Sequence, residues 1–221
     1  MLQNKEIIIF DWDGTLIDSQ ANIVQCFQLV INELNLPERS NPQISNIIGL
    51  GMREALKELF PGQDADLYEQ MVDRYRYHFF ASNPSEPFEG AKEVLSELSR
   101  AGYVLAVATG KGRNGLNKAL LHTGFGEYFH VTRCADETRS KPHPQMLEEI
   151  LEHTGMDPGQ AVMVGDTEYD LEMAKNAGMS SIGVSYGVHE GERLLKHKPI
   201  TVINEIRALL DCFNGEKIAI S

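Results

Sequence analysis

The chain has 221 residues, 42% hydrophobic and 24% charged, with a formal net charge of −12. This is a globular composition that excludes a disordered or fibrous chain and opposes binding to nucleic-acid backbones, which depends on clustered Lys and Arg. Cys26, Cys134 and Cys212 stand far apart in neither metal nor redox spacing, and their odd number argues against a disulfide framework. No apolar run approaches the roughly 20 residues that a membrane helix needs. The amino terminus MLQNKEIIIF has no long apolar core followed by a small-residue cleavage site, so a cytoplasmic protein with no membrane contact is expected.

The first predicted strand is EIIIF at 6–10. From about Ile17 to Pro87 there is no strand pattern; Ile23, Phe27, Val30, Ile31 and Leu34 keep helical spacing, as do Leu67, Met71, Val72, Tyr75 and Phe79, with a short helix at Met52 to Phe60 between them. An insertion of roughly 70 residues exceeds any strand-to-strand crossover. It predicts a helical cap domain at 17–85, with hinges near Leu16 to Ser19 and Asn83 to Pro87, set into a core of 1–16 and 86–221. Strands and helices then alternate: AKEVLSELSRAG, YVLAVAT (103–109), NGLNKALLHTG, FHVTR (129–133), HPQMLEEILEHTG, AVMVG (161–165), YDLEMAKNAG and SIGVS (181–185). The strands are mostly continuous apolar runs, as strands covered on both faces require. The expected class is α/β, a Rossmann-like three-layer core with a parallel five-stranded sheet. The tail after about Asn214 reads as loose.

Ligands of open parallel sheets bind beyond the carboxyl ends of the strands, so the residues just past each apolar run carry the chemistry. Here these are Asp11 and Asp13, Thr109 and Gly110, Lys141, and Asp166 with Asp170. Two carboxylates at i and i+2 in extended chain project to one side and repel each other unless a cation is near. Hard divalent ions such as Mg2+ take a few carboxylates plus substrate phosphate oxygens. Thr109 offers a hydroxyl, Gly110 a close backbone N–H and Lys141 a fixed positive charge for phosphate oxygens. The set predicts a phosphoryl-transfer site. A cap over it restricts access to small molecules, so a small phosphorylated metabolite is the expected partner of a chain expected as a monomer or homodimer.

Four segments carry a resemblance: DWDGTL, the ATG ending at Gly110, SKPHP around Lys141 and MVGDTEYDLEMAKNAGM. In this order, each after a predicted strand, they resemble the four motifs of the haloacid dehalogenase superfamily, and within it the phosphoglycolate phosphatase-like group with a helical cap. The resemblance implies Asp11 as the nucleophile forming an aspartyl-phosphate. It implies Asp13 as general acid and then base, its backbone carbonyl also ligating Mg2+. Asp11, Asp13 and Asp166 would hold the ion, with Asp170 supporting that shell. Thr109 and Lys141 would hold the transferring phosphoryl group.

Dehalogenases of the superfamily lack a carboxylate at the position of Asp13, and phosphonatases use a cap lysine as a Schiff base, whereas Lys57 lies on the polar face of MREALKELF. A sugar-phosphate mutase of the same fold stays open, since it differs mainly in how long the aspartyl-phosphate survives. A non-hydrolytic phospho-acceptor or binding module is the reading of another class; the long helical insertion speaks against it. In GLGMREAL, Gly49 and Gly51 predict a flexible turn before a short helix with Arg53 in its first turn; the segment resembles the cap loop that in related phosphatases leans into the active site, which implies that Arg53 would meet a substrate carboxylate. Many phosphoglycolate phosphatases have asparagine after the second-motif threonine, where this chain has Gly110 followed by Lys111.

Overall fold

A computed structural model describes residues 4–213, so the tail after Asn214 lies outside the described residues. Six strands form one parallel sheet: β1 (Ile7–Phe10), β2 (Val104–Thr109), β3 (Val131–Cys134), β4 (Ala161–Gly165), β5 (Ser180–Val184) and β6 (Val202–Ile203), in the order β3-β2-β1-β4-β5-β6. The expected five-stranded sheet is short by one. β6 pairs only Val202 and Ile203 with Gly183 and Val184 at the sheet edge, and two residues are too few to carry a periodic signal.

β1 is fully buried because both sheet faces are covered. Ile8 and Phe10, with Trp12 beyond them, enter one apolar cluster beside Leu95 and Leu98 of α5 (Ala91–Arg100), Leu116 of α6 (Arg113–Thr123) and Leu209 of α10 (Ala208–Phe213). Ile7 and Ile9 enter the opposite cluster, with Leu147 and Ile150 of α7 (Gln145–Thr154) and Met173 of α8 (Glu168–Asn176). A short helix, α9 (Gly191–Leu195), lies between β5 and β6. Burying one such aliphatic side chain contributes about 1.5–3 kcal/mol, so a strand of four apolar residues is held firmly at the centre. The carboxyl end of β1 is therefore a rigid base for Asp11 and Asp13.

Between β1 and α5 the chain forms α1 (Gln20–Glu33), α2 (Asn41–Ser45), α3 (Met52–Leu59) and α4 (Ala65–Ala81). These build a third apolar cluster whose buried members all lie between Ile23 and Val72. Helix α2 has no counterpart among the expected elements: it is five residues long with one buried side chain, Ile44. Its signal is the capping box of Ser40 and Gln43, where the Gln43 N–H donates to Ser40 Oγ and the Ser40 N–H donates to Gln43 Oε1. The two connections to the sheet run side by side, Asp18 N–H donating to Glu86 O and Phe88 N–H to Leu16 O, each at 3.0 Å.

Candidate active site

Asp11 continues β1, its N–H donating to Val164 O at 2.9 Å, and its carboxylate is buried. The Lys141 ammonium donates to Asp11 Oδ1 and to Asp170 Oδ1, both at 2.6 Å. Asp170 is oriented by the start of its own helix: Thr167 N–H and Oγ1 donate to its Oδ2 at 3.1 and 2.7 Å, a capping box that places the carboxylate in the first turn of α8. Asp166 accepts from Thr15 Oγ1 at 2.9 Å and from Val188 N–H at 2.8 Å. Backbone runs against it so closely that a Cβ on Gly14, whose φ is +82°, would sit 2.1 Å from Asp166 Oδ2. Only glycine suits that turn.

Carboxylate oxygens of Asp11, Asp166 and Asp170 lie within 4.8 Å of one another, all three residues buried. One ammonium faces three carboxylates, and Asp11 Oδ2 has no hydrogen-bond partner among the described residues. Burial pushes the Asp11 carboxyl well above the usual carboxylate range against the opposing pull of Lys141, with Asp170 and Asp166 adding to the rise. Burial and then the Asp170 charge raise Asp166 to about 7. Burial works against the charge on Lys141, yet Asp11 and Asp170 outweigh it and hold its pKa above the ordinary lysine value. A buried polar atom left unpaired in a cluster of excess negative charge is where a hard, oxygen-seeking cation fits.

Asp13 stands outside that cluster. Ser19 Oγ donates to its Oδ1 at 2.6 Å and the Lys111 ammonium donates to the same oxygen at 2.9 Å. Lys111 also sits 4.5 Å from the ring centroid of Phe79 on α4, a cation–π contact that joins it to the insertion. The signal for Lys111 is its place two residues beyond Thr109 at a strand end, although in the sequence it registers only as a departure from the family pattern. Ser19 carries no such signal. Trp12, between the aspartates, turns into the core against the edges of Phe125 and Phe129. Thr109 is buried, and its Oγ1 accepts from the Lys111 N–H at 3.1 Å.

A cavity of about 790 Å³ separates sheet and insertion, lined among others by Asp11, Asp13, Gly110, Lys111, Ile48 and Arg53. The Gly49–Gly51 turn does lean into the site: a Cβ on Gly110 would stand 2.5 Å from Leu50 O and 2.6 Å from Gly49 O. The Arg53 guanidinium is paired with Glu69 on α4, and its side chain is 63% exposed. Lys57 is exposed and does not line the cavity.

Among the described residues no helix is long and apolar enough to cross a membrane. Over 210 residues the chain is 32% identical to a phosphoglycolate phosphatase of Agrobacterium fabrum, covering 92% of this chain and 90% of the relative. It is 31% identical to the pyrophosphatase PpaX of Bacillus velezensis, covering 92% and 94%. Its fold superposes on the solved haloacid dehalogenase-like hydrolase of Streptococcus pneumoniae with a TM-score of 0.83, at 23% identity over 95% of this chain and 99% of the other. Residues 8–184 match the pattern of the haloacid dehalogenase-like hydrolases, the family to which this chain belongs.

Proposed function

We propose that the protein is a Mg2+-dependent phosphatase that hydrolyses a small phosphate monoester, phosphoglycolate-like in size and charge, in the cytoplasm. The observation that carries this reading is the unpartnered Asp11 Oδ2 beside Lys141 in the buried cluster with Asp166 and Asp170. Asp11 attacks phosphorus, and the bond to the leaving oxygen breaks as Asp13 gives that oxygen a proton. Asp13 then takes a proton from water as the water attacks phosphorus, and the bond to Asp11 breaks to release phosphate. Lys141 holds Asp11 in place and, with Thr109 and Gly110, meets the phosphoryl oxygens. Asp11, Asp166 and the Asp13 backbone carbonyl would hold Mg2+, with Asp170 supporting that shell, and the ion would offset the charge of the phosphoryl oxygens. The insertion, 17–85, acts as a cap domain that keeps bulk water out of the cavity. Relatives named for phosphoglycolate and pyrophosphate support a small substrate.

The test is phosphate release from a panel of small phosphate esters, with Mg2+ and with chelator, for the wild type and Asp11→Asn. Turnover that needs the metal and vanishes in Asp11→Asn is expected. No release from any ester overturns the reading.

A further inference from the structure

The chain from Asn46 to Gly51 forms one wall of the cavity through Ile47, Ile48, Gly49 and Leu50. These four are aliphatic or glycine, so their side chains offer no hydrogen bond to the core; the ends of the loop supply the anchors. At one end the Gly51 N–H donates to Ser140 Oγ at 2.7 Å, next to Lys141. At the other, Asn46 is held twice. The Tyr169 hydroxyl donates to the Asn46 carbonyl at 2.8 Å, and Arg193 Nη1 donates to Asn46 Oδ1 at 2.5 Å. Arg193 is gripped in turn by both carboxylate oxygens of Glu168 through Nε and Nη2, which leaves Nη1 aimed at Asn46. Glu168 and Tyr169 open α8, between Asp166 and Asp170.

We propose that Asn46 is a positioning residue for the reaction: through Tyr169 and the Arg193–Glu168 pair it ties the loop over Asp11 to the helix that carries Asp170, and so sets substrate affinity without touching substrate. A fork of guanidinium and carboxylate is a preorganised donor, and a hydrogen bond with a charged partner is stronger than a neutral one. Without it the loop keeps its anchor at Gly51 and the Tyr169 bond to the Asn46 carbonyl but loses the charged hold on the Asn46 side chain, so the ordered loop is less populated. Binding must then order the loop, and that cost raises KM, because apparent affinity falls with the fraction of molecules in the competent state. Once substrate is bound the loop is in place, so kcat is unchanged. A residue that only stabilised the insertion would lower Tm and leave KM alone.

The kinetic half of this inference rests on the phosphatase reading; the structural half does not. The experiment compares wild type, Asn46→Ala, Asn46→Asp and Tyr169→Phe by hydrogen–deuterium exchange of 47–51 without substrate, and by kcat and KM for 2-phosphoglycolate with Mg2+. Asn46→Ala is expected to raise exchange in the loop and KM by about 10-fold each, the loss of one hydrogen bond to a charged group, with kcat within about 2-fold of wild type. Asn46→Asp keeps an acceptor for Arg193 and restores both values. Tyr169→Phe, a milder change that leaves the fold intact, gives a smaller rise in exchange over the same segment. Loop exchange and KM both at wild-type values in Asn46→Ala overturn the proposal, as does Asn46→Asp behaving like Asn46→Ala. A wild type that releases no phosphate refutes the phosphatase reading instead, and the exchange data still decide whether Asn46 clamps the loop.

Discussion

The ammonium of Lys111 stands 2.9 Å from Oδ1 of Asp13, with both side chains only about one-tenth exposed. In the proposed mechanism Asp13 protonates the leaving oxygen, and the pair shares Lys111 with the ring of Phe79. Replacing Lys111 with Met leaves Asp13 oriented by Ser19 alone. Since a well-placed general acid contributes about 10²- to 10⁴-fold, partial misplacement is expected to lower kcat by about 10-fold or more. Lys111→Arg should retain more activity. Steady-state kinetics with a small ester decide it, and unchanged turnover in Lys111→Met means that Ser19 suffices.

Lys141→Ala removes the cation from a cluster of three buried carboxylates. Breaking a buried ion pair from one side costs about 3–5 kcal/mol. The cost grows with pH, because Asp11 and Asp166 already titrate above their unfolded values and lose their neutralising partner. A carboxyl with a raised folded pKa contributes stability below its unfolded pKa that is lost as pH rises through the folded one. Urea unfolding in chelator should show a smaller difference between variant and wild type near about pH 5 than near about pH 8. The reverse order contradicts the charge argument.

The same sign governs metal removal. In chelator the raised Asp11 and Asp166 make the protein lose stability as pH climbs from the unfolded carboxylate value through about 7, where Asp166 ionises. If Mg2+ is held there as proposed it binds the ionised forms, so its stabilisation, about 2.7 kcal/mol at a hundred times Kd, is expected mainly on the alkaline side. Calorimetry with and without Mg2+ should give a Tm shift larger at about pH 8 than at about pH 5. Equal shifts at both values place the ion elsewhere.

Gly110→Ala sets a methyl group 2.5 Å from the Leu50 carbonyl, which is backbone and cannot rotate away. Relief requires the loop at 49–50 to retreat from β2. Overpacking of this kind costs about 1–3 kcal/mol, and here it acts between insertion and sheet rather than inside either core. KM is expected to rise by about 10-fold or more, with Tm lower by only several degrees. A large drop in Tm at constant KM means that the core, not the loop, has yielded.

The alternating strands and helices are legible in the sequence because their burial is periodic: β1 reads IIIF and is buried throughout, and α5, α7 and α8 carry their apolar faces at helical spacing. The segments that escape it are those too short for a period, α2 with Ile44 and β6 with two residues. Asp11, Asp166, Asp170 and Lys141 are legible as strand-end residues, and the structure brings them together within hydrogen-bonding or ligand distance. The separation of Asp13 from that cluster is not legible, because its partners Ser19 and Lys111 come from the connection between β1 and α1 and from another strand end.

By itself, then, the sequence determined the family, the layered core and the order in which charged groups arrive at the carboxyl ends of the strands, since each depends on neighbours a few positions away. Tertiary structure alone decided which charges meet. Lys141 and Asp11 are 130 positions apart, Lys111 and Asp13 are 98, and Arg193 and Asn46 are 147. Electrostatic and hydrogen-bond energies depend on separation in space, and only the packing of sheet, helices and insertion brings those pairs within about 3 Å.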